Sequence, residues 1–257
     1  MTSLFLLSTG RTATTWIASV FAHAGARSLH EPEPRWLRLV GNAYAAGSLS
    51  HERAVATVRR ARAADVDAGE RPYVEANSLI SGLTRPLLDA FADAIVVQIV
   101  REPVGYVQSA IAWGQYRTGG RILNVVPYRR LAEPQFRPLS VPERVRWARK
   151  DQFERLCWTW TAQNRAMRTQ GADNPRHRVM RFDELVDPVR GRARLAELIA
   201  ELGLTADIDT VMRAAASERN ESAPRGAKVE LDVQQRRRLW QVCGDEAARY
   251  GFGPTDA

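Results

Sequence analysis

A loop at residues 8–15 has the residue types needed to bind a phosphate-like anion. Its sequence is Ser-Thr-Gly-Arg-Thr-Ala-Thr-Thr, and it lies between an apolar run and a helical pattern. The N-terminus of a helix carries unpaired N–H groups and the positive end of the helix dipole. Gly10 lets the backbone approach an anion closely, and Arg11 adds a positive charge. A solvated turn with a hydroxyl cap is the simpler interpretation, but it does not explain an Arg and several hydroxyls at one strand end.

Nucleotide kinases place a similar loop between a strand and a helix, with the signature G-x-x-x-x-G-K-[ST]. Counted from Gly10, the second Gly and the Lys of that signature are replaced by Thr15 and Trp16, and the first Lys of the chain is Lys150. The clearest strand pattern also ends in Arg101 rather than in an Asp that could hold magnesium. A metal-dependent phosphoryl transferase is therefore poorly supported.

A second group of anion-binding residues follows the apolar run at 94–100. Arg101 comes directly after this run, Glu102-Pro103 begins a helix, and Ser109 lies about two turns into that helix. Ligands of α/β folds bind at the carboxyl ends of the strands, so Arg101 and Ser109 are placed to reach one anion beside the loop. Taken alone, an ordinary salt bridge and helix packing explain these two residues equally well.

The elements that must position these residues alternate between strands and helices. The run AIVVQIV has the nearly continuous apolar pattern of a strand buried on both faces of a parallel sheet. Strands are predicted at 3–8, 26–30, 72–76, 94–100 and 177–182. Caps and periodicity predict helices at 14–23, at 50–64, at 84–91, from Pro103, from the capping box Ser140–Glu143 to about 168, from Asp187-Pro188 to Gly203, and from Asp232 to Gly251. The alternation predicts a three-layer α/β fold with a central parallel β-sheet flanked by helices.

Composition narrows the class of protein further. The 257 residues, 45% of them hydrophobic, suit one α/β domain with a substantial core. No apolar run reaches the roughly 18 residues of a membrane helix, and the apolar stretch Leu4–Leu7 is too short for a signal peptide. We therefore expect a cytoplasmic protein without an integral membrane segment. Two cysteines and four histidines, none at metal-ligand spacing, predict no metal site.

The net charge of +8 favours an anionic ligand. The basic residues are spread along the chain and form no nucleic-acid-binding motif, so nucleic acid is not an expected partner. A nucleotide, or a sulfated or phosphorylated small molecule, is the better match to this charge.

Together, the two clusters resemble the cofactor motifs of sulfotransferases that use 3′-phosphoadenosine-5′-phosphosulfate (PAPS). The string STGRTATTW after a first strand is similar to their 5′-phosphosulfate loop, and IVREPVGYVQS is similar to their 3′-phosphate motif. RFDELVDP and the late Tyr-Gly-Phe also resemble segments of that family, so the resemblance covers the whole chain. One departure is Ala13, where a Gly is commoner.

The resemblance implies one P-loop nucleotide-kinase-like sulfotransferase domain over 1–257, with PAPS as donor, adenosine 3′,5′-bisphosphate as product, and no metal. The acceptor would be a hydroxyl or amine of a sugar, a lipid or a small natural product. Arg101 and Ser109 would bind the 3′-phosphate, and the late pair Arg225-Gly226 would close over the cofactor. The 5′-phosphosulfate would be bound by Thr9, Gly10, Arg11, Thr12, Ala13, Thr14 and Thr15. The alternatives are a nucleotide-dependent phosphotransferase and a non-catalytic nucleotide-binding protein.

Sulfuryl transfer also needs a group that removes the acceptor's proton, such as a carboxylate or a His. Glu31, in Leu-His-Glu-Pro, is similar to the base of carbohydrate and tyrosine sulfotransferases, and His30 would orient the acceptor or carry the proton. The rival base is Glu75, close to where cytosolic sulfotransferases have a His that is missing here. If Glu31 is the base, Glu75 and Asn77 are expected to contact the acceptor. Arg11 would stabilise the charge that develops during transfer.

Aromatic residues are mixed with Arg between residues 113 and 160. Trp113 and Tyr116 are predicted to bind the acceptor, whereas Trp158 and Trp160 are predicted to lie in the core. Residues 114–139 have no periodicity and predict an insertion that covers the substrate. The sequence leaves a homodimer open.

Overall fold

The structure is a computed structural model that describes residues 2–116, 149–216 and 229–254. Its centre is a five-stranded sheet with the order β2-β3-β1-β4-β5, in which every neighbouring pair is parallel. The strands are β1 Ser3–Ser8, β2 Arg27–His30, β3 Tyr73–Asn77, β4 Ala94–Val100 and β5 His177–Arg181. The five predicted strands agree with these bounds to within one residue at each end.

The central strands β1, β3 and β4 are buried because helices cover both faces of the sheet. All six residues of β1 are buried. Because side chains alternate along a strand, Leu4 and Leu6 pack into the core on one face, while Phe5 and Leu7 pack into the core on the other. A strand buried on both faces needs apolar residues at nearly every position, which explains the continuous run seen in the sequence.

Helices form the two outer layers. The α-helices in the described ranges are α1 Thr14–His23, α2 Leu37–Ala45, α3 His51–Val66, α4 Thr84–Ala90, α5 Pro103–Trp113, α6 Gln152–Gly171, α7 Phe182–Val186, α8 Arg190–Glu201, α9 Ile208–Ala216 and α10 Val233–Ala248. Helices α1, α8 and α9 pack on the Leu4 face, and α2, α3 and α4 pack on the Phe5 face. A third apolar cluster joins α5, α6 and α10 around Trp160. The predicted three-layer α/β fold is confirmed.

The prediction of one helix from Ser140 to about residue 168 agrees with the structure over residues 152–168 and is wrong only at the start of this described part. Residues 150 and 151 are not helical, and Asp151 forms a capping box with Glu154 that begins α6. This Asp-x-x-Glu spacing is itself a helix-start signal, so the sequence does contain the boundary. The box at Ser140–Glu143 lies outside the described residues. In α6, Trp160 is fully buried as predicted, whereas Trp158 is only partly buried.

Three helices have no counterpart in the predictions. Helix α2 has no side-chain cap and contains Gly41 and Asn42, which are poor helix formers. Helix α7 is a single short turn. Helix α9 had a usable signal, because the carboxylate of Asp207 accepts a hydrogen bond from the N–H of Thr210. Across the described ranges, no helix is long and apolar enough to span a membrane.

Candidate active site

The residues of the candidate site follow four adjacent parallel strands, all at the carboxyl edge of the sheet. Glu31 comes after β2, Ser78 after β3, the loop at 8–15 after β1, and Arg101 after β4. Strand order reverses around β1, and such a switch point is where open α/β sheets bind ligands. The topology thus places these groups along one edge.

The loop at 8–15 is shaped by left-handed backbone and by one buried hydroxyl. Gly10, Arg11 and Ala13 have φ angles of 84°, 59° and 54°. Ser8 Oγ accepts hydrogen bonds from the N–H of Gly10 at 3.0 Å and from the hydroxyl of Thr12 at 2.8 Å. Backbone with several left-handed residues can turn neighbouring N–H groups towards a common concavity that suits an anion. The hydroxyl of Thr12 is used inside the loop, which leaves its backbone as the group that can face a ligand.

The N-terminus of α1 adds further donors at the same place. No side chain caps this end of the helix, and the first-turn N–H groups have no acceptor within the helix. Thr14 and Thr15 present hydroxyls here, while the buried Thr9 Oγ1 has no hydrogen-bond partner among the described residues. A helix end with open donors and positive dipole favours an anion.

Two guanidinium groups meet beside the loop. Arg101 Nη1 donates to the carbonyl oxygen of Arg11 at 2.6 Å, and Arg11 Nε donates to Ser109 Oγ at 3.1 Å. Within the described parts of the chain, neither Arg forms an ion pair with a carboxylate. The structure therefore brings the first and second predicted clusters together.

The surroundings of both guanidiniums favour an anionic partner. Burial lowers the pKa of Arg11, and burial together with the positive charge of Arg11 lowers the pKa of Arg101. The Arg11 guanidinium stacks 4.7 Å from the ring centre of Trp113, and that of Arg101 lies 5.0 Å from the ring centre of Phe182. Two partly desolvated like charges beside aromatic rings favour the approach of a negatively charged group.

Glu31 lies next to this cradle through Ser78. Ser78 Oγ donates to Glu31 Oε1 at 2.5 Å, and the N–H of Glu31 bonds to the carbonyl of Ala76 at 3.1 Å. A Cβ placed on Gly10 would lie 3.7 Å from Ser78 Oγ. Ser78 therefore lies between the loop and the carboxylate of Glu31. Glu31 is half-buried and has a φ of 45°. A carboxylate in this setting can accept a proton from a group bound beside the loop.

His30 faces the loop. Its Nε2 lies 3.0 Å from Thr14 Oγ1 and 3.4 Å from Thr15 Oγ1. Partial burial lowers the pKa of His30, the carboxylate of Glu31 opposes this shift, and Arg35 adds to it. The lowered pKa favours the neutral imidazole, which contacts the predicted cofactor loop.

The structure does not support Glu75 as a base or Asn77 as an acceptor contact. Glu75 is fully buried and paired with Arg62 at 2.6 Å, and it also accepts hydrogen bonds from Tyr73 and Asn77. Asn77 is buried, and its Oδ1 accepts the N–H of Leu79 at 2.8 Å. Carboxylate and amide are both committed to internal partners, so neither is presented to a bound molecule.

Two residues near the site were not singled out from the sequence. Ser78 sits beside Asn77 but carries no spacing signal of its own. Arg62 has one, because it continues the buried stripe Ala54 and Val58 at a spacing of four residues. An Arg on the apolar face of a helix needs a buried partner, and that pattern was available in the sequence.

Several predicted residues lie at the margin of the described chain. Trp113 is 56% exposed beneath Arg11, and Tyr116 has its hydroxyl 3.1 Å from Thr159 Oγ1. Arg225 and Gly226 lie outside the described residues, as does the insertion 114–139 beyond Tyr116. Within the ranges that are described, no group of three or more His, Cys, Asp or Glu side chains could hold a metal ion.

Comparison with known proteins gives no sequence match but clear structural ones. No protein-family model matches the chain, and no curated protein matches it in sequence. The fold resembles the sulfotransferase domain from the curacin biosynthetic pathway, with a TM-score of 0.55 and 12% identity over 98% of both chains. It also resembles the sulfotransferase from Alicyclobacillus acidocaldarius, with a TM-score of 0.53 and 15% identity over 97% of this chain and 94% of the other. The chain therefore has the α/β fold of these sulfotransferases over nearly its whole length.

Proposed function

We propose that the chain is a sulfotransferase that moves a sulfuryl group from PAPS to a hydroxyl or amine, with Glu31 as the base. The observation that carries the proposal is the joining of Arg11, Arg101 and Ser109 at one sheet edge, beside the carboxylate of Glu31. The fold shared with two sulfotransferases supports it.

The residues present fit a cofactor with phosphates at both the 5′ and 3′ positions. The open end of α1, the left-handed turn at Gly10 and Arg11, and the unpartnered hydroxyl of Thr9 match a 5′-phosphosulfate. Arg101 and Ser109 match the 3′-phosphate, since both lie beyond β4 and touch Arg11 from that side. One partner cluster for each anionic group is the arrangement that such a ligand requires.

When bound, PAPS supplies a sulfuryl group whose bond to the 5′-phosphate breaks as the acceptor bond forms, and the electron pair leaves with the phosphate. Arg11 and the N–H groups of the loop stabilise negative charge where it develops. Glu31 takes the proton of the acceptor, and Ser78 keeps its carboxylate oriented by donating to Oε1. His30 holds the hydroxyl groups of Thr14 and Thr15 towards the loop.

The acceptor is proposed to be a sugar, a lipid or a small natural product. The exposed ring of Trp113, stacked beneath Arg11, supports an acceptor with an apolar or ring face. Transfer of labelled sulfate to panels of glycans, lipids and phenols would identify which class is used.

Binding of adenosine 3′,5′-bisphosphate tests the donor. We expect it to raise the unfolding midpoint without added metal, by an amount equivalent to about 2.7 kcal/mol at one hundred times its Kd. Arg11→Ala is expected to weaken this shift and to lower transfer. Stabilisation by ATP with magnesium, but not by the bisphosphate, would indicate the phosphotransferase instead. Binding of the bisphosphate without transfer to any acceptor would indicate a non-catalytic protein.

A further inference from the structure

An ion pair with no solvent exposure lies beneath the segment that carries Glu31. Arg62 of α3 donates to Glu75 of β3 through Nε at 2.6 Å and Nη2 at 3.0 Å. Tyr73 and Asn77 donate to the same carboxylate at 2.7 Å each. A buried ion pair is weak evidence for stability, since apolar residues of similar size often serve the fold as well. The other hydrogen bonds that Arg62 and Glu75 form are therefore more informative about their role than the ion pair itself.

Arg62 also grips the backbone directly after Glu31. Its Nη1 donates to the carbonyl of Glu33 at 2.9 Å, and its Nη2 donates to the carbonyl of Pro32 at 3.3 Å. These residues are irregular backbone between β2 and α2, where no strand or helix ladder holds the chain. The guanidinium supplies the missing anchor and so fixes the path of the chain that leaves Glu31.

Glu75 is also linked to the side chain of Glu31, through Asn77 and Ser78. Its Oε1 accepts the amide of Asn77, and Asn77 Oδ1 in turn accepts the N–H of Leu79. The residue enclosed by this turn is Ser78, whose hydroxyl donates to Glu31. One carboxylate thus orients both the Arg that holds the Glu31 backbone and the turn that presents a donor to the Glu31 side chain.

We propose that Arg62 and Glu75 are positioning residues that set the orientation of the Glu31 carboxylate; this inference rests on the proposed role of Glu31 as the base. Both side chains are fully buried, so neither is presented to a bound molecule. Proton transfer depends on the placement of the base to within a fraction of an ångström, and a rigid shell of hydrogen bonds behind the base supplies it.

Arg62→Lys tests the hydrogen bonds from Arg62 to the carbonyls of Pro32 and Glu33, while it keeps a positive charge opposite Glu75. Lys lacks the planar fork that reaches a carboxylate and two carbonyls at once. We expect the affinity for adenosine 3′,5′-bisphosphate and the donor KM to be unchanged. We expect kcat to be about tenfold lower than in the wild type.

A second variant guards against misfolding. Arg62→Met with Glu75→Gln removes both charges together and leaves an oxygen for Tyr73 and Asn77, so no unpaired charge is buried. Arg59→Met, on the same helix and bonded to the carbonyl of Ala90, is the matched control. If the folded double variant and Arg62→Lys both keep the kcat of the control, the proposal is wrong.

Hydrogen exchange separates this proposal from the function on which it rests. Absence of transfer by the wild-type chain would reject the sulfotransferase, whatever the variants do. The amides of Glu31, Glu33, Arg35 and Trp36 report the grip without any activity. Faster exchange there in Arg62→Lys, but not in Arg59→Met, supports positioning, and unchanged exchange overturns it.

Discussion

Strained backbone is concentrated at the candidate active site. Five residues other than Gly have positive φ in the described chain, and three of them, Arg11, Ala13 and Glu31, lie at the ends of β1 and β2. Each costs about 1–2 kcal/mol relative to ordinary backbone. The contacts of Arg101 with the Arg11 carbonyl and of Ser78 with Glu31 over-determine two of these conformations. Strain that is held in place in this way is typical of functional sites.

Glu31→Gln should separate binding from chemistry. Gln keeps the size and the hydrogen bond from Ser78 but cannot take a proton. We expect binding of adenosine 3′,5′-bisphosphate to persist and transfer to fall by about 10²–10⁴-fold. Glu52→Gln, at an exposed position in α3, is the control and should transfer at the wild-type rate. Near-normal turnover by Glu31→Gln would remove Glu31 as the base.

His177 should make the fold less stable in acid. Burial against Gly171 lowers the pKa of His177 to about 4 from its ordinary 6.5, and its Nε2 has no partner in the described chain. Between these values the unfolded chain binds a proton that the folded chain does not. Stability should therefore fall as the pH drops from 6.5 towards 4, by at most about 1.4 kcal/mol per pH unit and by less for a partly exposed ring.

Denaturant unfolding across this pH range checks the His177 prediction. The free energy of unfolding of His177→Asn should depend less on pH than that of the wild type. Equal pH dependence in the two proteins would mean that His177 titrates normally in the fold. His30, whose pKa is also lowered, acts in the same direction in both proteins and cancels in the comparison.

At the scale of elements, two glycines let α2 pack closely against the turn after β3. A Cβ on Gly82 would lie 2.5 Å from the carbonyl oxygen of Gly41, which is backbone and cannot rotate away. Helix α2 follows the Glu31 segment, so this contact fixes the far end of that segment. The periodicity of the sequence predicted neither α2 nor the contact, because close approach of two backbones leaves no side-chain pattern.

Gly82→Ala should destabilise the protein by about 1–3 kcal/mol, because α2 must shift to admit the methyl group. Gly244→Ala is the matched control. Gly244 lies inside α10 with open space around its Cβ position, so Ala there should stabilise by about 0.5–1 kcal/mol. Urea unfolding measures both. A loss of similar size in the two variants would show that the effect is not specific to the contact with α2.

At the scale of the whole molecule, the protein has a net charge of +8. The candidate site adds the guanidiniums of Arg11 and Arg101, which have no carboxylate partner in the described chain. Elsewhere in the described chain, guanidiniums are paired with carboxylates, as Arg178 is with Glu201, whereas Arg11 and Arg101 form no such ion pair. Long-range attraction therefore adds to the local contacts and is sensitive to ionic strength.

The affinity for adenosine 3′,5′-bisphosphate should fall with salt. We expect a loss of about tenfold, or about 1.4 kcal/mol, between 0.05 and 0.5 M NaCl. Titration calorimetry would measure it, with uncharged adenosine as the reference ligand. Equal salt dependence for the two ligands would argue against an electrostatic site.

The sequence by itself determined the sheet and the residues at its edge. Local patterns predict the five strands, the loop at 8–15 and the pair Arg101 and Ser109. They do so because the periodicity of a strand and the residues at its end depend only on positions close together in the sequence. It also led to the three-layer fold, because alternating strands and helices have few other ways to bury their apolar faces.

Only the tertiary structure shows how differently Glu31 and Glu75 are placed. Both are acidic residues near a strand end, and nothing local tells them apart. Glu75 is fully buried because Arg62, on another element, folds over it, whereas Glu31 is left half-buried beside Ser78. Whether a carboxylate is free depends on partners distant along the chain, and these partners meet only when the helices pack against the sheet.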